Sequence, residues 1–264
     1  MPKISRTQCE LHYEIFGENG PWITLVNGHT RSHKDFRNMV KILTKKNFRC
    51  LTLDNRGSGE TNVTAPFTFD DMVLDVVSLW DELNIDKTHL LGISMGGMIC
   101  QRLAAEASHV IRSLTLISTT ASSEWISGIG DESWGDSLDT VMSKLGHYFA
   151  NSFLQKNKLL VQAMAKNILK NIQEGNFAEG AKLQRLAIEN IDVSANARMI
   201  KCPTYIIHGL EDEIIEARAA SELDDLIDNT NLDLLEGMGH LLLAEYNKNL
   251  YDSVLNFIQS TQSN

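Results

Sequence analysis

Residues His89 to Met98 read HLLGISMGGM and run on into MICQRLAAEA: a short apolar stretch, a turn crowded with glycine, then a helical pattern. A strand that passes straight into a helix must reach its next sheet neighbour by a crossover, so this junction points to a parallel sheet. The same rhythm recurs along the chain. WITLVNG, FRCLTLD, THLLGIS, VIRSLTLIST, CPTYIIHG and NLDLLEG are compact, apolar and rich in β-branched residues, and they read as buried strands of a mostly parallel sheet. Segments with helical spacing lie between them; from Thr68 to Asn84, Met72, Val73, Val76, Val77 and Trp80 fall on one face. Right-handed crossovers then place helices on both faces of the sheet.

One interval breaks this rhythm. Between the strand ending near Thr119 and the strand starting near Cys202 lie roughly 80 residues, where one crossover needs only about 10 to 20. The excess reads as an insertion. It opens on the polar TTASSEWISGIGDESWGDS and continues in three helical patterns, near 138–155, 158–174 and 177–191, carrying Met142, Phe149, Phe153, Leu160, Met164, Ile168, Phe177 and Leu186. The chain therefore divides into a core, residues 1–120 and 197–264, and a helical insertion, residues 121–196. With 264 residues, 43% of them hydrophobic, it can bury one sizeable core.

Composition removes several functional classes. A net charge of −10 without a basic run argues against nucleic acid as a partner. No apolar run is long enough to span a bilayer, and MPKISRTQCELHYEIFG at the N-terminus contains no apolar signal region, so neither a membrane nor export is expected. Cys9, Cys50, Cys100 and Cys202 are far apart, with no CxxC pair, which fits reduced thiols in a cytoplasm better than a disulfide framework or a zinc site.

Ser94 lies between Gly92 and Gly96 at the strand-to-helix junction. That pattern forms a nucleophile elbow: a turn so tight that the hydroxyl projects from the carboxyl end of the sheet, above a helix N-terminus that favours an oxyanion. A serine hydroxyl needs a base to take its proton and a carboxylate to orient that base. Both follow at the ends of later strands. After PTYIIHG comes Leu210-Glu211-Asp212, and after NLDLLEG comes Met238-Gly239-His240, giving the chain order Ser94, Asp212, His240. Glu211 and Glu213 compete with Asp212 for the acid, and its spacing from Gly209 favours Asp212.

With these residues in place the chain resembles the α/β-hydrolase superfamily over nearly its whole length. The resemblance rests on the Gly-x-Ser-x-Gly-Gly elbow at 92–97 and on DNRGSGET, where Asp54, Arg56, Gly57, Gly59 and Thr61 fit the family's Asp-x-Arg-Gly-x-Gly-x-Ser/Thr. Gly209 with Asp212, and Gly239-His240 with Glu245, complete the match. It implies an eight-stranded, mostly parallel sheet flanked by helices, with the insertion after the sixth strand forming a helical cap over the active site. A serine nucleophile is unlike the aspartate of the haloalkane dehalogenase and epoxide hydrolase branches. The implied reaction is hydrolysis of a carboxylic ester through an acyl-enzyme, with oxyanion donors at the main-chain N–H groups of Met95 and His29, the His29 imidazole being incidental. No metal or organic cofactor is called for, and a metal at His29 and His33 is not expected, since no carboxylate or cysteine is spaced to join them.

The substrate is less constrained. A small, partly apolar ester suits the insertion's Met, Phe, Leu and Trp content, with Trp125, Trp134 and Met238 as candidate contacts. Asn27-Gly28 stands where most of the superfamily has His-Gly, and with SMGGM it is similar to the 3-oxoadipate enol-lactonase group. That resemblance implies a carboxylate-bearing lactone and gives Arg31 a role as its anion partner; the other reading of Arg31 is a solvated side chain at a helix start. Carbon-carbon bond hydrolysis and perhydrolysis are further chemistries of such a triad, and a non-catalytic ligand receptor is the reading from another class. The partner is thus a small ester or lactone, and a homodimer is a candidate assembly.

Overall fold

The structure, a computed structural model, describes residues 2–63, 65–128, 134–175, 177–245 and 248–262. Eight strands form one sheet in the order β1-β2-β4-β3-β5-β6-β7-β8. β1 (Lys3–Arg6) and β2 (Cys9–Phe16) pair antiparallel at one edge, and β2 is antiparallel to β4 (Arg49–Leu53). From β4 onward every pairing is parallel, through β3 (Trp22–Val26), β5 (Thr88–Ile93), β6 (Ile111–Ile117), β7 (Thr204–Gly209) and β8 (Thr230–Leu235). All the parallel strands thus present their carboxyl ends at one rim, where ligands of such sheets gather.

Helices cover both faces. α1 (Arg37–Lys45) and the last helix of the chain (Lys248–Ser260) pack Met39, Leu43, Tyr251 and Val254 with Ile23, Leu25 and Cys50. On the other face α2 (Phe69–Glu82) and α3 (Met95–Glu106) bury Met72, Val76, Trp80, Met98, Ile99 and Leu103 against Leu51, Leu90 and Leu114. α2 starts at a capping box, Thr68 with Asp71, and its buried face includes the expected Met72, Val73, Val76 and Trp80.

Two expectations change. NLDLLEG reads as a buried strand, but β8 is the sheet edge and alternates partly buried with exposed residues. A strand with one neighbour keeps its outer flank in water, and apolar content alone does not reveal that position. The helical pattern at 138–155 is two helices, α4 (Leu138–Gly146) and α5 (Asn151–Lys156). They are separated by a turn in which the main-chain oxygen of Tyr148 accepts from the N–H groups of His240 and Leu241, each at 3.0 Å. α6 (Lys158–Glu174) and α7 (Phe177–Ile188) follow as expected, then α8 (Ser194–Ala197), α9 (Arg218–Leu226) and the last helix, which becomes α10.

α4 and α6 share a small apolar cluster of their own, with Trp134, Val141, Leu145, Phe149, Val161 and Ile168 buried in it. α7 is bound to the sheet side instead. Gly180 lies so close to Gly57 that a Cβ on Gly57 would come within 2.9 Å of the Gly180 Cα. The Gln184 amide also bridges two loops, donating to the Arg56 carbonyl at 2.8 Å and accepting from the Thr30 N–H at 2.7 Å.

Candidate active site

Ser94 sits between β5 and α3 with φ 53 and ψ −124, a positive-φ conformation that a residue with a side chain adopts at a cost of roughly 1–3 kcal/mol. The surroundings hold it there. Its N–H donates to the Ile117 carbonyl at 3.0 Å, and its carbonyl accepts from the Gly97 N–H at 2.8 Å and the Thr119 hydroxyl at 2.7 Å. Close packing explains the glycines: a Cβ on Gly96 would collide with the Val26 carbonyl, and one on Gly28 would lie 3.0 Å from the Ser94 Cβ. The loop after β3 can therefore press directly against the serine.

The three residues read from the sequence meet. His240 Nε2 is 3.1 Å from Ser94 Oγ, and His240 Nδ1 is 2.8 Å from Asp212 Oδ2. Asp212 is fixed from both sides: Oδ1 accepts from the N–H groups of Ile214 and Ile215, each at 2.9 Å, and Oδ2 also faces His208 Nε2 at 3.1 Å. Burial would raise the Asp212 carboxyl, but the charge of His240 and the hydrogen bonds of His208 and His240 outweigh it and hold the group well below the usual carboxylate range. An ionised Asp212 accepts only, so the His240 proton is kept on Nδ1 and the Nε2 lone pair faces the serine. Glu211 lies outside this hydrogen-bonded relay and accepts from the Asn151 N–H at 3.1 Å; Glu213 pairs with His147 at 2.6 Å.

A cavity of about 400 Å³ opens on Ser94 and His240, at the lower end of the size range of small-molecule sites. His29 and Met95, the expected oxyanion donors, both line it, as do Arg31 and Trp134. Its far wall comes from the 121–196 segment: Tyr148, Leu160, Met164, Arg185 and Ile188. Trp125 and Met238 are not among its lining residues. Trp125 packs with Ile214 and Ile215 and lies under the Arg218 guanidinium, while Met238 packs on the α1 and α10 side of the sheet and its carbonyl accepts from the Glu211 N–H at 2.9 Å.

Arg31 is not a solvated side chain. It makes a bidentate pair with Asp35, at 2.6 and 2.9 Å, and Asp35 in turn accepts from the Asn27 amide at 3.1 Å. Asn27 organises the whole loop: its Oδ1 accepts from the Gly28 N–H at 2.8 Å and its Nδ2 donates to the Ser32 carbonyl at 2.8 Å. The His29 imidazole is not incidental: Nε2 lies 2.8 Å from the Ala181 carbonyl and ties the loop to α7.

Three residues near the site have roles that sequence reasoning missed. Tyr148 follows a helix end that no spacing marks, and its ring stands edge-on to His240 with centroids 5.7 Å apart. His208, four residues before Asp212 at the end of a buried strand, looks like strand packing until its proximity to the carboxylate is seen. Glu245 belongs to a motif that assigns it no task; its Oε1 accepts from the Gly239 N–H at 2.8 Å and lies 3.5 Å from the Ala150 N–H. Burial pushes the Glu245 carboxyl up to about 7, against those donors and with the help of the Glu211 and Asp212 charges.

The elbow, the strand order and the rim location define one class of protein. Residues 21–245 match the family described as alpha/beta hydrolase fold, and the chain belongs to it. Among curated relatives it is 26% identical to 3-oxoadipate enol-lactonase 1 of Acinetobacter baylyi, across 93% of this chain and 91% of that protein. It is 23% identical to a putative non-heme chloroperoxidase of Synechocystis, across 95% of each. Among solved structures, the enol-lactonase from Burkholderia xenovorans LB400 superposes with a TM-score of 0.84 at 25% identity, covering 98% of this chain and 100% of that one. The meta-cleavage product hydrolase from Pseudomonas fluorescens IP01 shares the fold, with a TM-score of 0.87 at 19% identity and coverage of 99% and 98%. The chain is thus a hydrolase of this family.

Proposed function

We propose that this protein is a serine hydrolase that cleaves the carboxylic ester of a small, partly apolar substrate through an acyl-enzyme. The observation that carries the reading is the unbroken line from Asp212 through His240 to Ser94, at 2.8 and 3.1 Å, ending in a cavity large enough for a small ester. Ser94 Oγ attacks the carbonyl carbon while His240 Nε2 takes its proton. The oxyanion lies between the N–H groups of Met95 and His29, whose loop is held against the serine by Gly28, Asn27 and the ties to α7. The intermediate collapses as His240 returns the proton to the leaving alcohol, and water then releases the acid by the same steps. Helices α4 to α7 act as the cap, supplying apolar walls for the acyl or alcohol group.

Short p-nitrophenyl esters should be hydrolysed by the wild type and not by Ser94→Ala, with release of p-nitrophenolate as the measurement. Binding without turnover of any ester, lactone or thioester would favour the receptor reading instead.

A lactone bearing a carboxylate is the second reading, supported by the similarity to enol-lactonases and by Arg31 and Arg185 at the cavity wall. The Asp35 partner offsets much of the Arg31 charge, which is why the neutral ester stands first. Arg31→Ala should raise KM for an anionic lactone far more than for a neutral ester if the lactone is the substrate; equal effects on both would remove it.

A further inference from the structure

Away from the cavity, where β2 pairs with β4, two histidines and two carboxylates come together. His12 is fully buried and His33 nearly so, and their rings lie 4.7 Å apart. Asp54 sits between them: its Oδ2 is 3.1 Å from His12 Nδ1, and its two oxygens are each 2.9 Å from His33 Nδ1. The same carboxylate accepts from the His33 N–H at 2.6 Å and the Glu60 N–H at 2.9 Å. A carboxylate acting only as acceptor makes both Nδ1 atoms donors, which leaves each neutral ring with a lone pair on Nε2.

Both Nε2 atoms lie near one group. Glu14 Oε1 lies 3.6 Å from His33 Nε2 and 3.9 Å from His12 Nε2. These are too long for hydrogen bonds, and His12 Nε2 is a buried polar atom with no hydrogen-bond partner among the described residues. The separations are instead close to those between donors on a shared ion: with bonds of about 2.0–2.1 Å, adjacent tetrahedral ligands stand roughly 3.4 Å apart. A shift of a few tenths of an ångström in the Glu14 side chain, which is 24% exposed, would bring its Oε1 to that separation from both rings.

We propose that His12 Nε2, His33 Nε2 and Glu14 Oε1 form a binding site for a divalent, zinc-type cation, with Asp54 orienting both imidazoles from behind. Two nitrogens and one oxygen suit zinc, cobalt or nickel better than magnesium or calcium. A carboxylate bound to the far nitrogen of a ligating histidine is the common supporting arrangement for such ions, and here one carboxylate serves both rings. Glu14 and His33 also line a surface cleft of about 540 Å³, which gives the ion a way in. Lys34, Arg37 and Lys41 share that cleft and oppose a cation, whereas the charges of Glu14 and Asp54 offset it and Lys34 is paired with Glu60 at 3.3 Å. The ion would join β2 to the β3 loop and to the end of β4, so its role would be to brace the rim on which the loop carrying His29 stands.

The test is zinc and cobalt titration of the full chain, stripped with chelator and carrying His147→Ala so that the exposed His147 and Glu213 pair contributes nothing. One equivalent should bind, the cobalt form should show the intense visible bands of a tetrahedral site, and zinc should raise the melting temperature. Glu14→Gln, which keeps the shape of a partly exposed side chain, and His33→Gln should each weaken binding by about tenfold or more. Zinc affinity unchanged in Glu14→Gln would overturn the proposal, as would the absence of saturable binding in the parent protein. Should His33→Gln fail to fold, Glu14→Gln and the cobalt spectrum decide alone.

Discussion

The Glu245 carboxyl turns the geometry of the His240 loop into a measurable pH dependence of stability. It is 7% exposed and is pushed up to about 7 from an ordinary 4.5, first by burial and then by the charges of Glu211 and Asp212. Between these two values the folded protein keeps a proton that the unfolded chain has released. The stabilisation from this group is therefore whole below pH 4.5 and is lost as pH rises through about 7. Between pH 5 and 8 the displacement corresponds to a loss of about 2 kcal/mol. Urea unfolding at the two pH values, for wild type and Glu245→Gln, isolates it, because glutamine retains an acceptor for the Gly239 N–H and cannot ionise. The wild type should lose about 2 kcal/mol more than the variant over that interval. Parallel changes in the two proteins would show that Glu245 ionises in the fold as freely as in the open chain, and the link between its burial and the His240 loop would be wrong.

Other perturbations test separate parts of the site. Asp212→Asn should lower kcat by about four orders of magnitude with little change in melting temperature, because an amide can present a donor to His240 Nδ1 and turn the tautomer; stopped-flow ester hydrolysis measures it. Gly28→Ala places a methyl 3.0 Å from the Ser94 Cβ, so kcat should fall by about 100-fold while far-UV circular dichroism is unchanged. Asp75→Ala strands the buried Arg56, which is held by Asp75 at 2.6 and 2.9 Å, and should destabilise by about 3–5 kcal/mol in urea titrations.

What the sequence disclosed, and what it hid, follows from how each residue is placed. Ser94, Asp212 and His240 each stand just past the end of a parallel strand, so recognising the strands was enough to bring all three to one rim. Trp134, Arg31, Trp125 and Met238 depended instead on how loops and helices fold back. Two of these line the cavity and two do not, because apolar or charged character in a loop says nothing about which way the chain returns. The His12 and Glu14 pair illustrates the limit most clearly. They are two apart on β2 and share a face by strand geometry, but only the antiparallel register of Tyr13 opposite Leu53 sets His12 beside Asp54. His33 is then drawn to the same carboxylate by both its N–H and its ring. A search of sequence for metal ligands asks for short spacings on one element. Here the donors come from β2 and from the turn after β3, and the carboxylate that orients them from a third segment, so a cluster with no spacing signature arises from tertiary pairing. The family's Asp-x-Arg-Gly motif marks Asp54, and its place between two imidazole rings gives that motif residue partners that the motif itself does not name.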